Sequence, residues 1–279
     1  MKRKIVSLIL FLLGLGLCSY PLVSNILSRI EQQRIIRTDE KEIKDSDAEA
    51  LKENLADAKN YNKALYRVTD TAIGTELSDI LSYDSYNQLL NIREDGIMGS
   101  IEIPDIDVDL PIYHGTAEEH LAVGVGHVYG TSLPIGGQNT HSLLTSHSGM
   151  PNAKLFTRLD ELEIDDYFHI TICNEKYTYK VCDIQVIKPE EVGTLGIKKG
   201  ENRVSLITCT PYGINTHRLV VTGEQTDYTE SVISNVDSLY HTMSLRELIF
   251  TILPFAFIAI AIIGGIKNRK GRIQNEKKK

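Results

Sequence analysis

Val204 to Val221 reads V-S-L-I-T-C-T-P-Y-G-I-N-T-H-R-L-V-V. An apolar, β-branched run through Leu206, Ile207 and Thr208 predicts a strand that ends at Cys209. Thr210-Pro211-Tyr212-Gly213 breaks it, and Leu219, Val220 and Val221 start a returning strand. A cysteine therefore sits at a strand end beside a short loop. Arg218 opens the returning strand nine residues on, within reach of the sulfur.

Working outward, residues from Ile97 to Glu224 repeat this pattern. Ile101 and Ile103, then Ile106, Val108, Leu110 and Ile112, follow a period of two, interrupted by Pro104 and Pro111. Similar short runs occupy His141 to Ser146, Tyr167 to Cys173, Lys176 to Val186 and Leu219 to Glu224. Short strands parted by Gly, Pro and Asn turns predict an all-β barrel or sandwich. One helical insertion is expected near Ala153 to Leu162. If Asn174-Glu175 forms the turn after Tyr167 to Cys173, then Cys173 and Cys182 do not face each other across the hairpin, and no disulfide is expected there.

Ahead of the strands, Ile26, Ile30, Ile36, Ile43, Leu51, Leu55 and Leu65 recur at loose helical spacing among many charges. Ile26 to Tyr66 reads as one or two amphipathic helices, serving as a solvated stalk that lifts the domain. Thr71 to Asn91 adds another helix, capped by Asp70 or Thr71.

At both ends lie apolar runs of membrane-spanning length, Ile5 to Val23 and Leu248 to Ile266. Pro254 and Gly264-Gly265 fit a membrane helix better than a soluble one. No A-x-A site follows the first run, and Leu15-Gly16-Leu17-Cys18 matches a lipoprotein cleavage box only loosely, so the first run is read as a retained anchor. The net charge of −7 is uneven. Ten basic residues fall in the tails, at Lys2, Arg3, Lys4, Lys267, Arg269, Lys270, Arg272, Lys277, Lys278 and Lys279, against the single acid Glu276. By the positive-inside rule both tails are cytoplasmic and residues 24–247 face outward. The acidic middle argues against nucleic-acid binding. The expected order is a basic tail and first membrane helix (1–25), a helical stalk or lid-like region (26–95), the β-barrel (96–226), a juxtamembrane linker (227–247), a second membrane helix (248–266) and a basic cytoplasmic tail (267–279).

The strand His141 to Ser146 ends at His147, Ser148 and Gly149, which sets His147 at a barrel rim, as Cys209 is. A cysteine and a histidine so placed form a nucleophilic pair: an imidazolium favours the attacking thiolate and then protonates a leaving amine. Arg218 would supply a fixed cation for an oxyanion or hold the substrate backbone. His114, His120 and His127 lack compact metal-ligand spacing. His217 is expected on the face opposite Arg218. No metal or organic cofactor is implied.

The stretch I-T-C-T-P-Y-G-I-N-T-H-R-L (Ile207 to Leu219) resembles the signature of class C sortases, the pilin-polymerising transpeptidases of Gram-positive bacteria. Three further stretches agree: I-E-I-P-D-I-D-V-D-L-P-I-Y (Ile101 to Tyr113), G-V-G-H-V-Y-G-T-S-L-P-I-G-G (Gly124 to Gly137) and H-S-L-L-T-S-H-S-G-M-P-N-A-K-L-F-T-R-L-D-E-L (His141 to Leu162). The resemblance implies the sortase eight-stranded β-barrel, with Cys209 as nucleophile, His147 as acid and base and Arg218 as the oxyanion or substrate-positioning group. It implies as partners pilin or surface proteins bearing a C-terminal sorting signal like Leu-Pro-x-Thr-Gly, cut after the threonine to a thioacyl enzyme that a pilin lysine resolves. Two departures stand out. Class C lids carry Asp-Pro-aromatic, whereas this chain has Asp84-Ser85-Tyr86 and no proline between Pro21 and Pro104. Ser148 follows the histidine where a larger or basic residue is common.

Two rival readings remain. The same three residues would serve a sortase that anchors proteins to peptidoglycan, and a non-catalytic membrane-anchored β-domain would need no reactive thiol. A papain-like hydrolase fits poorly, because there the cysteine precedes the histidine.

Overall fold

The structure, a computed structural model, describes residues 2–71, 80–150 and 153–227. The chain divides into two compact units, residues 1–27 with 242–279 and residues 28–241. In the first unit the described part is the start of helix α1 (Lys2–Asp45), whose side chains Leu10, Leu13 and Leu17 are exposed. Among the described residues α1 is the one helix long and apolar enough to cross a membrane. The expected second span, 248–266, and most of the expected linker 227–247 lie outside the described residues.

The second unit is built on a closed barrel of eight strands: β1 (Ile97–Ile103), β2 (Val108–His114), β3 (Val125–His127), β4 (Thr140–Thr145), β5 (Tyr167–Ile172), β6 (Glu175–Ile187), β7 (Asn202–Thr210) and β8 (His217–Thr226). Around the barrel the order is β1-β2-β3-β4-β7-β8-β6-β5. Neighbours are antiparallel except β2–β3 and β4–β7, which are parallel and so need crossovers. Closure removes every free sheet edge.

Alternation decides what fills the barrel. Ile101, Ile103, Ile112, Leu144, Phe168, Ile170, Tyr179, Leu206 and Val221 are fully buried in one core cluster. Each such side chain contributes roughly 1.5–3 kcal/mol of transfer free energy. Gly223 on β8 is required by this packing: a Cβ there would lie 2.5 Å from Phe168 Cε1, where that ring stacks on Tyr179.

The N-terminal helices differ from the expected stalk. Helix α2 (Ala48–Thr71) buries Leu55, Ala58, Tyr61 and Leu65 in the same core cluster as the barrel strands. Asn62 is buried and clasps the Leu133 backbone twice, donating from Nδ2 to its carbonyl (3.0 Å) and accepting its N–H at Oδ1 (2.7 Å). Nearby, Asn54 Oδ1 accepts the Leu90 N–H. The outer part of α1 is fastened as well: Arg29 forms a two-pronged pair with Asp107, and Gln32 donates to the Val123 carbonyl. Residues 28–71 are thus built into the domain, because their apolar stripe has a barrel surface to cover.

Three local expectations are corrected. Of the helix expected over Thr71 to Asn91, the described residues 80–91 hold α3 (Tyr83–Gln88), capped by Ser82, whose Oγ accepts the Ser85 N–H, and Thr71 closes α2; residues 72–79 lie outside the described residues. In place of a helix at 153–162 there is a single 3-10 turn, Leu159–Glu161. The β5–β6 turn is Cys173-Asn174, both left-handed (φ 48° and 64°), one residue earlier than expected. Such a two-residue turn matches the strand twist. Cys173, Cys182 and Cys209 are all free thiols.

Candidate active site

The β7–β8 hairpin aligns Cys209 directly opposite Arg218, and Thr210 opposite His217. Directly opposed residues share a sheet face. The hairpin loop is tied by the N–H groups of Ile214 and Asn215, both donating to the Pro211 carbonyl. Arg218 Nη1 donates to the His217 carbonyl (3.1 Å) and, at 3.4 Å, to that of Asn215.

On the other side of β7 lies β4, paired in parallel up to Thr145 opposite Ile207. The chain keeps that alignment for three more residues. Ser146 N–H donates to the Ile207 carbonyl (3.1 Å), Thr208 Oγ1 to the Ser146 carbonyl (2.8 Å) and Ser148 Oγ to the Cys209 carbonyl (2.7 Å). These bonds hold His147 level with Cys209. His147, Cys209 and Arg218 therefore sit in a row across three neighbouring segments, each about 4.8 Å from the next. Ser148, singled out in the sequence only as a departure, is one of the clasps.

The face they share is outside the barrel core. Leu144, Leu206 and Val221 point into the core, so their neighbours Leu143, Ile207 and Val220 form a second apolar cluster on the opposite face. Val128, Ile187, Val192 and Leu195 pack against it, the last two from the β6–β7 connection. By alternation Cys209 falls on the Ile207 face and Arg218 on that of Val220. This covered apolar cluster leads up to the sulfur and fixes the β6–β7 connection beside it. Cys209 is half-buried, and Tyr212 and Ile214 in the β7–β8 loop are exposed beside it.

The remaining residues weighed in the sequence are otherwise engaged. Burial pushes the Cys173 thiol up to about 11, and it also raises that of Cys182, so both stay protonated near neutrality. His114 bonds the Gly96 and Leu89 carbonyls, and His120 Nδ1 bonds that of His114. His127 Nε2–H donates to the Ser132 carbonyl. Among the described residues no group of three or more His, Cys, Asp or Glu is disposed to hold a metal ion. One residue at the site was not found in the sequence: Glu118, at the start of helix α4 (Glu118–Leu121), with Oε1 3.1 Å from His147 Nε2. Nothing in the run Glu118-Glu119-His120 marks it, since it lies 29 residues upstream of its partner.

Comparison with known proteins bears on the family and the fold. Residues 101–226 match the Sortase domain family. Among solved structures, sortase C1 from Streptococcus agalactiae is 40% identical with a TM-score of 0.64, over 70% of this chain and 100% of that one. Clostridium perfringens sortase C, in a structure with the C-terminal cell wall sorting motif, is 38% identical with a TM-score of 0.59, over 70% of this chain and 99% of that one. Sortase A of Streptococcus agalactiae is 28% identical over 53% of this chain, and the match spans 63% of that relative's length. With a closed eight-stranded barrel and this degree of likeness across whole sortase C chains, the protein belongs to the sortase family and resembles its class C members.

Proposed function

We propose that this chain is a membrane-anchored cysteine transpeptidase that cuts a Leu-Pro-x-Thr-Gly-like sorting signal and joins the product to a lysine amine of a pilin subunit. The observation that carries this reading is the row formed by His147, Cys209 and Arg218 on one outer face, at the end of a buried apolar cluster.

In this reading the Cys209 thiolate attacks the threonine carbonyl carbon. The carbonyl electron pair moves to oxygen, and Arg218 stabilises that oxyanion or holds the backbone next to it. As the tetrahedral species collapses, the Thr–Gly C–N bond breaks and His147 gives its proton to the departing amine. A lysine amine then attacks the thioester, His147 takes its proton, the C–S bond breaks and a new amide forms. One amide replaces another, so no external energy source is needed.

Support for the substrate class comes from the Clostridium perfringens relative, described with a C-terminal cell wall sorting motif. Support for a pilin acceptor over a peptidoglycan amine is the likeness to a sortase C1 described as of a pilus island, 37% identical with a TM-score of 0.61. In the layout we propose, α1 anchors the chain from a cytoplasmic N-terminus, 248–266 returns it through the membrane, and the barrel at 96–226 faces outward.

The test uses the full chain in detergent with a fluorogenic sorting peptide. Cys209→Ala should abolish cleavage, and His147→Ala and Arg218→Ala should each lose at least about 10² in rate. Undiminished turnover by Cys209→Ala would refute the reading and leave a non-catalytic surface domain. Supplying a pilin and a peptidoglycan amine in competition then separates polymerisation from wall anchoring.

A further inference from the structure

The His147 ring is met by a side chain that the chemistry above does not use. Glu118 Oε1 lies 3.1 Å from Nε2. An ionised carboxylate can only accept a hydrogen bond, so the nitrogen facing it carries the proton. The neutral ring is then the Nε2–H tautomer, and Nδ1 holds the lone pair.

We infer that Glu118 is a positioning residue for His147, fixing its ring as the Nε2–H tautomer so that Nδ1 is the nitrogen that exchanges protons with thiol and amine. This rests on the acid–base role proposed for His147. The Nε2 proton stays in place throughout, while Nδ1 gains one proton and gives it up again.

The Glu118 side chain is 80% exposed and that of His147 27%, so as an ion pair the contact adds little to stability. What gives it direction is the scaffold under Glu118. The His120 ring stacks on Tyr113 with centroids 4.7 Å apart, and its Nδ1 bonds the His114 carbonyl (3.0 Å). The N–H groups of Ala122 and Gly124 close onto the carbonyls of Glu118 and His120, both at 2.9 Å. Gln32 from α1 donates to the Val123 carbonyl. Ser146, immediately before His147, donates from Oγ to the Gly124 carbonyl at 2.7 Å. The crossover also lies flat on β3, since a Cβ on Gly126 would come within 2.9 Å of Leu121 Cδ2 and 2.5 Å of the Gly115 carbonyl oxygen. Residues 118–124 and 146–147 are thus held as one piece, and the backbone that carries the carboxylate keeps a fixed place next to the ring. A carboxylate orienting an imidazole through its far nitrogen is the general logic of hydrolytic triads.

The experiment compares the full chain in detergent micelles with E118A and E118Q. In the first readout, ¹⁵N-histidine NMR at a pH where the ring is neutral, the His147 signals are assigned by their loss in His147→Gln. Wild type and E118Q, whose amide oxygen still accepts Nε2–H, should show the Nε2–H pattern, and E118A the averaged pattern of two tautomers. In the second, cleavage of a sorting peptide, E118A should lower kcat about three- to fivefold with KM unchanged, at the upper end of an exposed charged contact, and E118Q should recover most of it. A ring signature unmoved in E118A, or a kcat within about twofold of wild type, overturns the inference. Should wild type cleave no sorting peptide, or Cys209→Ala cleave it equally well, the proposed function is what fails, and the ring signature alone decides the role of Glu118.

Discussion

Replacing Asn62 by alanine tests whether α2 is part of the folded domain. Asn62 is buried, and its two bonds satisfy both the N–H and the carbonyl of Leu133, itself buried on the β3–β4 connection. Truncation leaves the Leu133 N–H without a partner in a place water does not reach, while its carbonyl keeps the Ile135 N–H (2.9 Å). At about 1–3 kcal/mol for one buried unsatisfied group, the loss is about 1–3 kcal/mol, a sizeable part of the roughly 5–15 kcal/mol that a domain possesses. The assay is urea unfolding of the full chain in detergent, followed by near-UV circular dichroism, since the chain has 13 tyrosines and no tryptophan. The midpoint should fall at an unchanged m-value, and Lys63→Ala, at an exposed neighbouring position, should move it by less than about 0.5 kcal/mol. An Asn62→Ala variant as stable as Lys63→Ala would mean that α2 is a solvated stalk after all.

Two further predictions concern pH. Burial depresses the His127 ring to about 4, and its Nδ1 accepts the Tyr86 hydroxyl (2.9 Å) while Nε2–H is committed to Ser132. Between about 6.5 and 4 the unfolded chain takes a proton that the folded ring refuses, so stability present above 6.5 declines on acidification by up to about 3 kcal/mol; His127→Gln should remove that share of the slope in pH-dependent melts. Asp39 behaves in the opposite sense: burial raises its carboxyl to about 6 although Arg93 opposes the shift, so stability present below 3.8 is lost as pH rises through 6. Asp39→Asn should therefore gain about 2–3 kcal/mol at pH 7 relative to pH 4, and an equal effect at both would contradict the assignment.

The barrel was largely legible because its strands alternate. Ile101 with Ile103, then Ile106, Val108, Leu110 and Ile112, and Val204 with Leu206 bury every second residue in one core, and that period survives in the sequence. Strand β3 was not legible: three residues, all buried and one a glycine, carry no alternation. The Cys173-Asn174 turn was missed by one position because a left-handed cysteine is uncommon, whereas asparagine signals a turn readily. For α2 the apolar stripe was visible but its partner was not, since a helix among charges has the same pattern whether it covers a barrel or stands in water. Of the candidate site, the cysteine and arginine could be paired from hairpin length alone. His147 joins them only through the crossover that lays β4 alongside β7, and Glu118 through a second crossover, between β2 and β3; neither proximity leaves a local trace.

The most direct test of the central claim is the intact mass of the full chain mixed with a sorting peptide and quenched within one turnover. The account predicts a transient adduct equal to the peptide fragment ending in threonine, located on the tryptic peptide holding Cys209 and absent from Cys209→Ala. Peptide cleavage with no such adduct, or an adduct carried by Cys182, would contradict it.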